Sequence, residues 1–175
     1  MRTTKARLGI ERLEARGTPA GNVTATVSGG VLFLTGDGAD NQFGLQQNAS
    51  GDVVVYGLNG TSVNGQPAVF VGRGVPNAVV AELRAGNDYF EVLGLAAGGV
   101  FIDSGNGSDS IALANVRTAG NIEVRTHLLD DAVFMSGVVA GNQMILHGGD
   151  GTDSLHLDHS GGLNGTFISN FDRGF

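Results

Sequence analysis

Asp88, Asp109, Asp131 and Asp153 stand 21, 22 and 22 residues apart. Three of them close glycine-containing runs, A-G-N-D, G-N-G-S-D and G-D-G-T-D, and Asp131 closes H-L-L-D-D. Carboxylates brought close together repel unless they diverge into water, accept backbone N–H groups, or share a cation. Two chemistries suit these letters. Calcium takes six to eight oxygens from carboxylates and carbonyls, which glycine corners leave accessible. Asp and Gly also serve tight turns, through Asx hydrogen bonds and left-handed backbone. The residues alone leave both readings open.

A second set recurs at the same interval: Glu82, Asp103, Arg125 and His147. Acids beside an Arg and a His could supply general acid/base chemistry on a polysaccharide, which makes Asp103, Arg125 and His147 the alternative catalytic set. The competing reading is a solvated face with an ion pair from Asp103 to Arg125. The run His156-Leu157-Asp158-His159, with His147, could be a metal cluster or exposed histidines at a strand end. Neither G-x-S-x-G, H-E-x-x-H nor a phosphate-binding P-loop occurs, so no catalytic motif is assigned and the chain reads as a non-enzyme.

Such spacings require a repeating scaffold. Glycine-bounded apolar strands start at Val31, Val53, Val79, Val100, Ile122, Met144 and Thr166, at intervals of 22, 26, 21, 22, 22 and 22. The long interval is assigned to a polar loop, Thr61 to Pro67, bulging from one corner. Alternate positions stay small or apolar from copy to copy, as inward faces require: Val79/Ala81/Leu83, Val100/Ile102/Ser104, Ile122/Val124/Thr126 and Met144/Leu146/Gly148. A second strand gives Phe90/Val92, Ile111/Leu113, Val133/Met135 and Leu155/Leu157, and a third column runs Leu95, Val116, Val138. Two alternating strands, a corner and a short third segment predict an all-β chain, a short parallel β-helix with coils of about 22 residues. The general rule for parallel crossovers makes it right-handed. An antiparallel sandwich or barrel would not hold corner and inward residues in phase.

The stretch G-G-D-G-T-D-S-L-H, Gly148 to His156, matches every fixed position of G-G-x-G-x-D-x-L-x, and so resembles the haemolysin-type (repeats-in-toxin) calcium-binding repeat. The resemblance implies calcium as a cofactor. Carried over by position, the ligands would be Gly149, Gly151 and Asp153, then Gly105, Gly107 and Asp109, with Asp88 and Asp131 in the same column. Family repeats follow each other every nine residues, whereas here one such corner occurs per coil and Leu128-Leu129 interrupts the series.

Thirty glycines without a G-X-Y period exclude collagen and point to many tight turns. With no Cys, disulfides and thiolate metal sites are excluded. The net charge of −7 divides unevenly: residues 1–20 hold five Lys/Arg and two Glu (+3), leaving five Lys/Arg and fifteen Asp/Glu (−10). An acidic body repels phosphate backbones, which argues against nucleic-acid binding. No apolar run approaches the roughly 18 residues of a membrane span. Residues 1–22 read as a basic leader or tail and 23–175 as the β-helix domain. Within the leader, Leu13-Glu14-Ala15-Arg16 resembles the L-E-x-R leader of some large bacterial extracellular proteins, which implies an extracellular or cell-surface location. The expected role is structural or adhesive, with a surface polysaccharide, a second copy or a continuation at the C-terminal coil end as partners. The rival expectations are a carbohydrate-active β-helix enzyme, or a fragment of a larger surface protein.

Overall fold

The computed structural model describes residues 21–74 and 76–174, so residues 1–20 of the basic leader, with the L-E-x-R motif, lie outside the described residues, while Asn22, read as the leader's last residue, opens the first strand. The described chain is all strand and turn. No helix among these residues is long and apolar enough to cross a membrane.

The first third of the domain pairs mostly antiparallel. Strands β1 (Asn22–Ser28) and β2 (Val31–Thr35) form a hairpin about Gly29-Gly30. Strand β3 (Gln42–Gln47) pairs antiparallel with β4 (Asp52–Gly57). A two-residue strand, β5 (Ser62–Val63), joins the edge of β1, and β6 (Ala68–Arg73) joins the edge of β4.

From residue 78 the chain coils. The first coil contains β7 (Ala78–Glu82), β8 (Tyr89–Leu93) and β9 (Ala96–Ala97). The second contains β10 (Val100–Asp103), β11 (Ser110–Ala114) and β12 (Arg117–Thr118). The third contains β13 (Ile122–Arg125), β14 (Ala132–Ser136) and β15 (Val139–Ala140). The fourth contains β16 (Met144–His147), β17 (Ser154–Asp158) and β18 (Gly161–Gly162), and is followed by β19 (Thr166–Ser169) and β20 (Arg173–Gly174). Corresponding strands stack in parallel into three sheets, two of eight strands and one of four. The expected β-solenoid with coils of about 22 residues is therefore the fold.

The predicted register holds from Val79 onward: Val79, Val100, Ile122, Met144 and Thr166 are aligned partners. It fails before that point. Val31 pairs with Ala78, so Leu32 is the residue aligned with Val79. Val53 does not open a coil, because β4 runs back antiparallel along β3. The segment Thr61 to Pro67 is no bulge, since it carries β5 onto β1. Val53 and Val55 alternate with the same period as a coil strand, and parity is blind to strand direction.

Strands β2 and β3 stack in parallel on β7 and β8, so they form the first rung of the solenoid while β1 and β4 cover their outer edges. Covering those edges removes a row of unpaired N–H and C=O groups. The core is continuous across this junction, where Phe43 of β3 stacks on Phe90 of β8 with ring centroids 4.4 Å apart. The inward columns read from the sequence are buried, including Leu95, Val116 and Val138 on the third side, except at Leu157 in the last copy, which is only partly buried. Where that column changes to Ser160, the hydroxyl accepts the Val138 N–H at 3.0 Å.

Candidate functional site

The four spaced aspartates come together as one buried column. Each lies two residues before the first core residue of its second strand (Phe90, Ile111, Val133, Leu155), and strand parity turns it inward. Asp88, Asp109, Asp131 and Asp153 are 2%, 2%, 3% and 0% exposed. Each carboxylate accepts the backbone N–H of the rung before it. Asn41 N–H donates to Asp88 Oδ1 (2.6 Å), Asp88 to Asp109 (2.8 Å), Asp109 to Asp131 (2.7 Å) and Asp131 to Asp153 (2.9 Å). Asp172 Oδ2 ends the series by accepting from Asp153 N–H at 3.0 Å. Of the three ways to relieve such a column, the fold uses N–H groups.

The other carboxylate oxygen has no such partner. Among the described residues, Oδ2 of all four aspartates is buried without a hydrogen bond, as is Ser104 Oγ. Burial pushes the Asp88 and Asp131 carboxyls up to about 7, with like charge from neighbouring aspartates adding to it. Burial also raises Asp109 and Asp153, against the hydrogen bonds that hold their charge.

The glycines expected as carbonyl ligands are placed where coils touch. Gly105 and Gly149 have φ of 87° and 97°. A Cβ on Gly105 would stand 1.8 Å from Arg84 O, and one on Gly149 2.1 Å from His127 O. Gly107 and Gly151 lie equally close to the backbone of Gly86 and Leu129. Corner bridges run Ala85 to Asn106, Leu128 and Asp150. Leu128 and Leu129, exposed in the intervening coil, bring no oxygen side chain.

This arrangement does not fit the calcium ion that the resemblance implies. One oxygen of each carboxylate is already committed to an N–H, and the other is shut inside the coil. Among the described residues no three Asp, Glu, His or Cys side chains converge as a metal-binding group. A calcium cage would need six or more oxygens on one point.

The outward set is brought into register, Glu82, Asp103, Arg125, His147 and Ser169 on successive rungs. The expected pairing of Asp103 with Arg125 is not made. Arg125 pairs with Glu123 two residues back on its own strand, and Asp103 Oδ1 meets His127 Nε2 at 3.0 Å. His147 Nδ1 is 2.6 Å from Ser169 Oγ. An open hollow of about 240 Å³ is lined by Val80, Glu82, Phe101, Asp103, Glu123 and Arg125. A second, of about 450 Å³, collects Arg125, His127, His147 and Asp150 around Gly149. Sequence reasoning missed His127, which sits in the corner run read only for its aspartates.

The histidine run does not assemble. His147 belongs to β16 and His156 to β17, on different sheets. His156 lies beside Phe134 with ring centroids 6.4 Å apart. Asp158 takes the Ser136 hydroxyl at 3.0 Å and the His159 ring.

One further cluster had no signal in the spacing. The chain's two tyrosines, on β4 and β8, both donate to Glu91: Tyr56 to Oε1 at 2.6 Å and Tyr89 to Oε2 at 2.9 Å. The Tyr56 ring lies over Gly44, where a Cβ would stand 2.4 Å from it. Burial and the Glu91 charge hold both phenols above their ordinary range.

No family model, curated protein or solved structure matches this chain.

Proposed function

We propose that the chain is a non-enzymatic structural and adhesive module of the bacterial cell surface or extracellular space, which lays one flank of its solenoid along an extended polysaccharide. The observation that carries this reading is a pair of in-register stripes on the flank formed by β2, β7, β10, β13, β16 and β19. One stripe is mainly apolar, Phe33, Val80, Phe101, Glu123, Ile145 and Phe167. The three phenylalanines in it are exposed. The other is polar, Glu82, Asp103, Arg125, His147 and Ser169. Successive rungs stand about 4.8 Å apart, so both stripes follow the coil axis as a linear polymer would. Exposed aromatic rings offer flat apolar surface, and the adjoining acids, Arg and His offer hydrogen bonds to hydroxyls.

The second reading, a carbohydrate-active enzyme, draws on the Asp103 to His127 contact at 3.0 Å beside Glu82 and Arg84 in an adjoining hollow. Retention on insoluble neutral and acidic polysaccharides separates the two. We expect the protein to be retained, the polymer to keep its chain length, and Phe101→Ala to elute early. Polymer shortened by the native protein, but not by Asp103→Asn or His147→Gln, would establish the enzyme. Retention indifferent to Phe101→Ala would remove this flank from the reading.

A further inference from the structure

We infer that the inward aspartate column is a proton-binding ladder: in the folded coil, Asp88, Asp109, Asp131 and Asp153 hold protons on their Oδ2 atoms, which the unfolded chain releases. The inference concerns the interior and is independent of what the outer flank binds.

Four observations support it. First, each carboxyl receives one N–H, on Oδ1, and its Oδ2 is buried with no donor. A bare carboxylate oxygen away from water is costly, and a proton both removes the charge and makes the oxygen a donor. Secondly, Ser104, fully buried beside Asp109, has a hydroxyl with no other partner among the described residues. Its oxygen can accept a hydrogen bond from a protonated Asp109, whereas its O–H turned toward the carboxyl would hold the charge. Thirdly, the rung before Asp88 is Asn41, the neutral isostere of a protonated aspartic acid. It is fully buried, donates its N–H to Asp88, and sends its amide Nδ2 to Asp37 Oδ1 and Ala39 O, both at 2.8 Å.

Fourthly, neighbouring acids favour protons over carboxylates at Asp88, Asp131 and Asp153. Asp88 is faced by Asp37, Asp40 and Asp109. Asp109 has Asp88 and Asp131 beside it in the column, but the Asp88 N–H, the Ser104 hydroxyl and His127 all favour its charge, and burial is what raises it. Asp131 is faced by Asp109, Asp153 and the hydroxyl of Thr126. Asp153 is faced by Asp130, Asp131, Asp150 and Asp172. Burial raises all four carboxyls, two of them to about 7.

A carboxyl whose folded pKa is raised above the unfolded 3.8 contributes stability that is complete below about pH 4 and is lost as pH rises through the folded value. The ladder therefore predicts a domain that is loosened, not tightened, on passing from mildly acidic to mildly alkaline solution.

The test uses the whole chain in excess EDTA. Thermal unfolding is followed by circular dichroism from about pH 5 to about pH 8, for the native protein and for Asp109→Asn/Asp131→Asn. We expect the native midpoint to fall by about 5 °C or more across this range. The doubly substituted chain should show a shallower slope and an equal or higher midpoint at the alkaline end. Infrared spectra near neutral pH should show the carbonyl stretch of protonated carboxylic acid, weakened by each Asn. A native midpoint that rises or stays level with pH, without that band, would overturn the ladder. So would a variant of lower midpoint at alkaline pH together with a native chain that calcium specifically stabilises, since the carboxylates would then be charged ligands. Should the variant fail to fold, the native infrared band alone decides.

Discussion

At Gly105 the backbone of one coil rests on the carbonyl of Arg84 in the coil before, with φ of 87° and a Cβ position 1.8 Å from that oxygen. Alanine there meets two costs. The left-handed conformation disfavours a Cβ by roughly 1–2 kcal/mol, and forcing apart a close-packed contact costs typically 1–3 kcal/mol. Gly105→Ala should therefore lower unfolding stability by about 2–5 kcal/mol in urea titrations with an unchanged slope. The exposed Ser108→Ala, whose N–H still reaches Asn87 Oδ1, is the control and should change little. A loss below about 0.5 kcal/mol at Gly105 would mean that the corner opens readily. The same residues bear the letters of a calcium repeat, and the close stacking gives those letters a purpose without an ion.

At the level of elements, the junction between the antiparallel strands and the first coil is pinned twice, by the Phe43 and Phe90 stack inside and by Tyr56 on Glu91 outside. Tyr56→Phe removes one donor and leaves Glu91 with Tyr89, at a cost of about 1.5–3 kcal/mol for a bond to a charged group. Amide exchange should quicken in β4 and β6 while β13 to β17 keep their protection, and a uniform change along the chain would show that the pin is not local. What the sequence made legible follows from period. Every inward column from Val79 to Leu146 was fixed by alternation and the 22-residue interval. The inward turn of Asp88, Asp109, Asp131 and Asp153 was equally present in their parity with Phe90, Ile111, Val133 and Leu155. It went unread because Asp beside Gly signals an exposed corner. The antiparallel start was illegible, since Val53 and Val55 alternate as a coil strand does. Tyr56 and Glu91 meet across 35 residues that no repeat links.

Taken whole, the molecule is a stack in which each coil touches chiefly the one before and the one after. Stability in such a stack is close to a sum of coil and neighbour terms, so it should vary along the axis. The middle rungs, Val100, Ile122 and Met144, are closed on both sides and fully buried. At the start, β1 and β4 seal the edges of β2 and β3. Beyond the fourth coil the interior opens: Ile168, aligned with the buried Leu146, is 49% exposed. Amide exchange at neutral pH should accordingly be slowest in β10, β11, β13 and β14 and fastest in β19 and β20. A Val124→Ala substitution, costing about 2–4 kcal/mol at a fully buried site, should reduce protection on both sides of it. Ile168→Ala should cost under about 1 kcal/mol and leave β10 to β14 unchanged. Equal protection throughout the stack, or equal effects of the two substitutions, would show a single cooperative block in place of coupled coils.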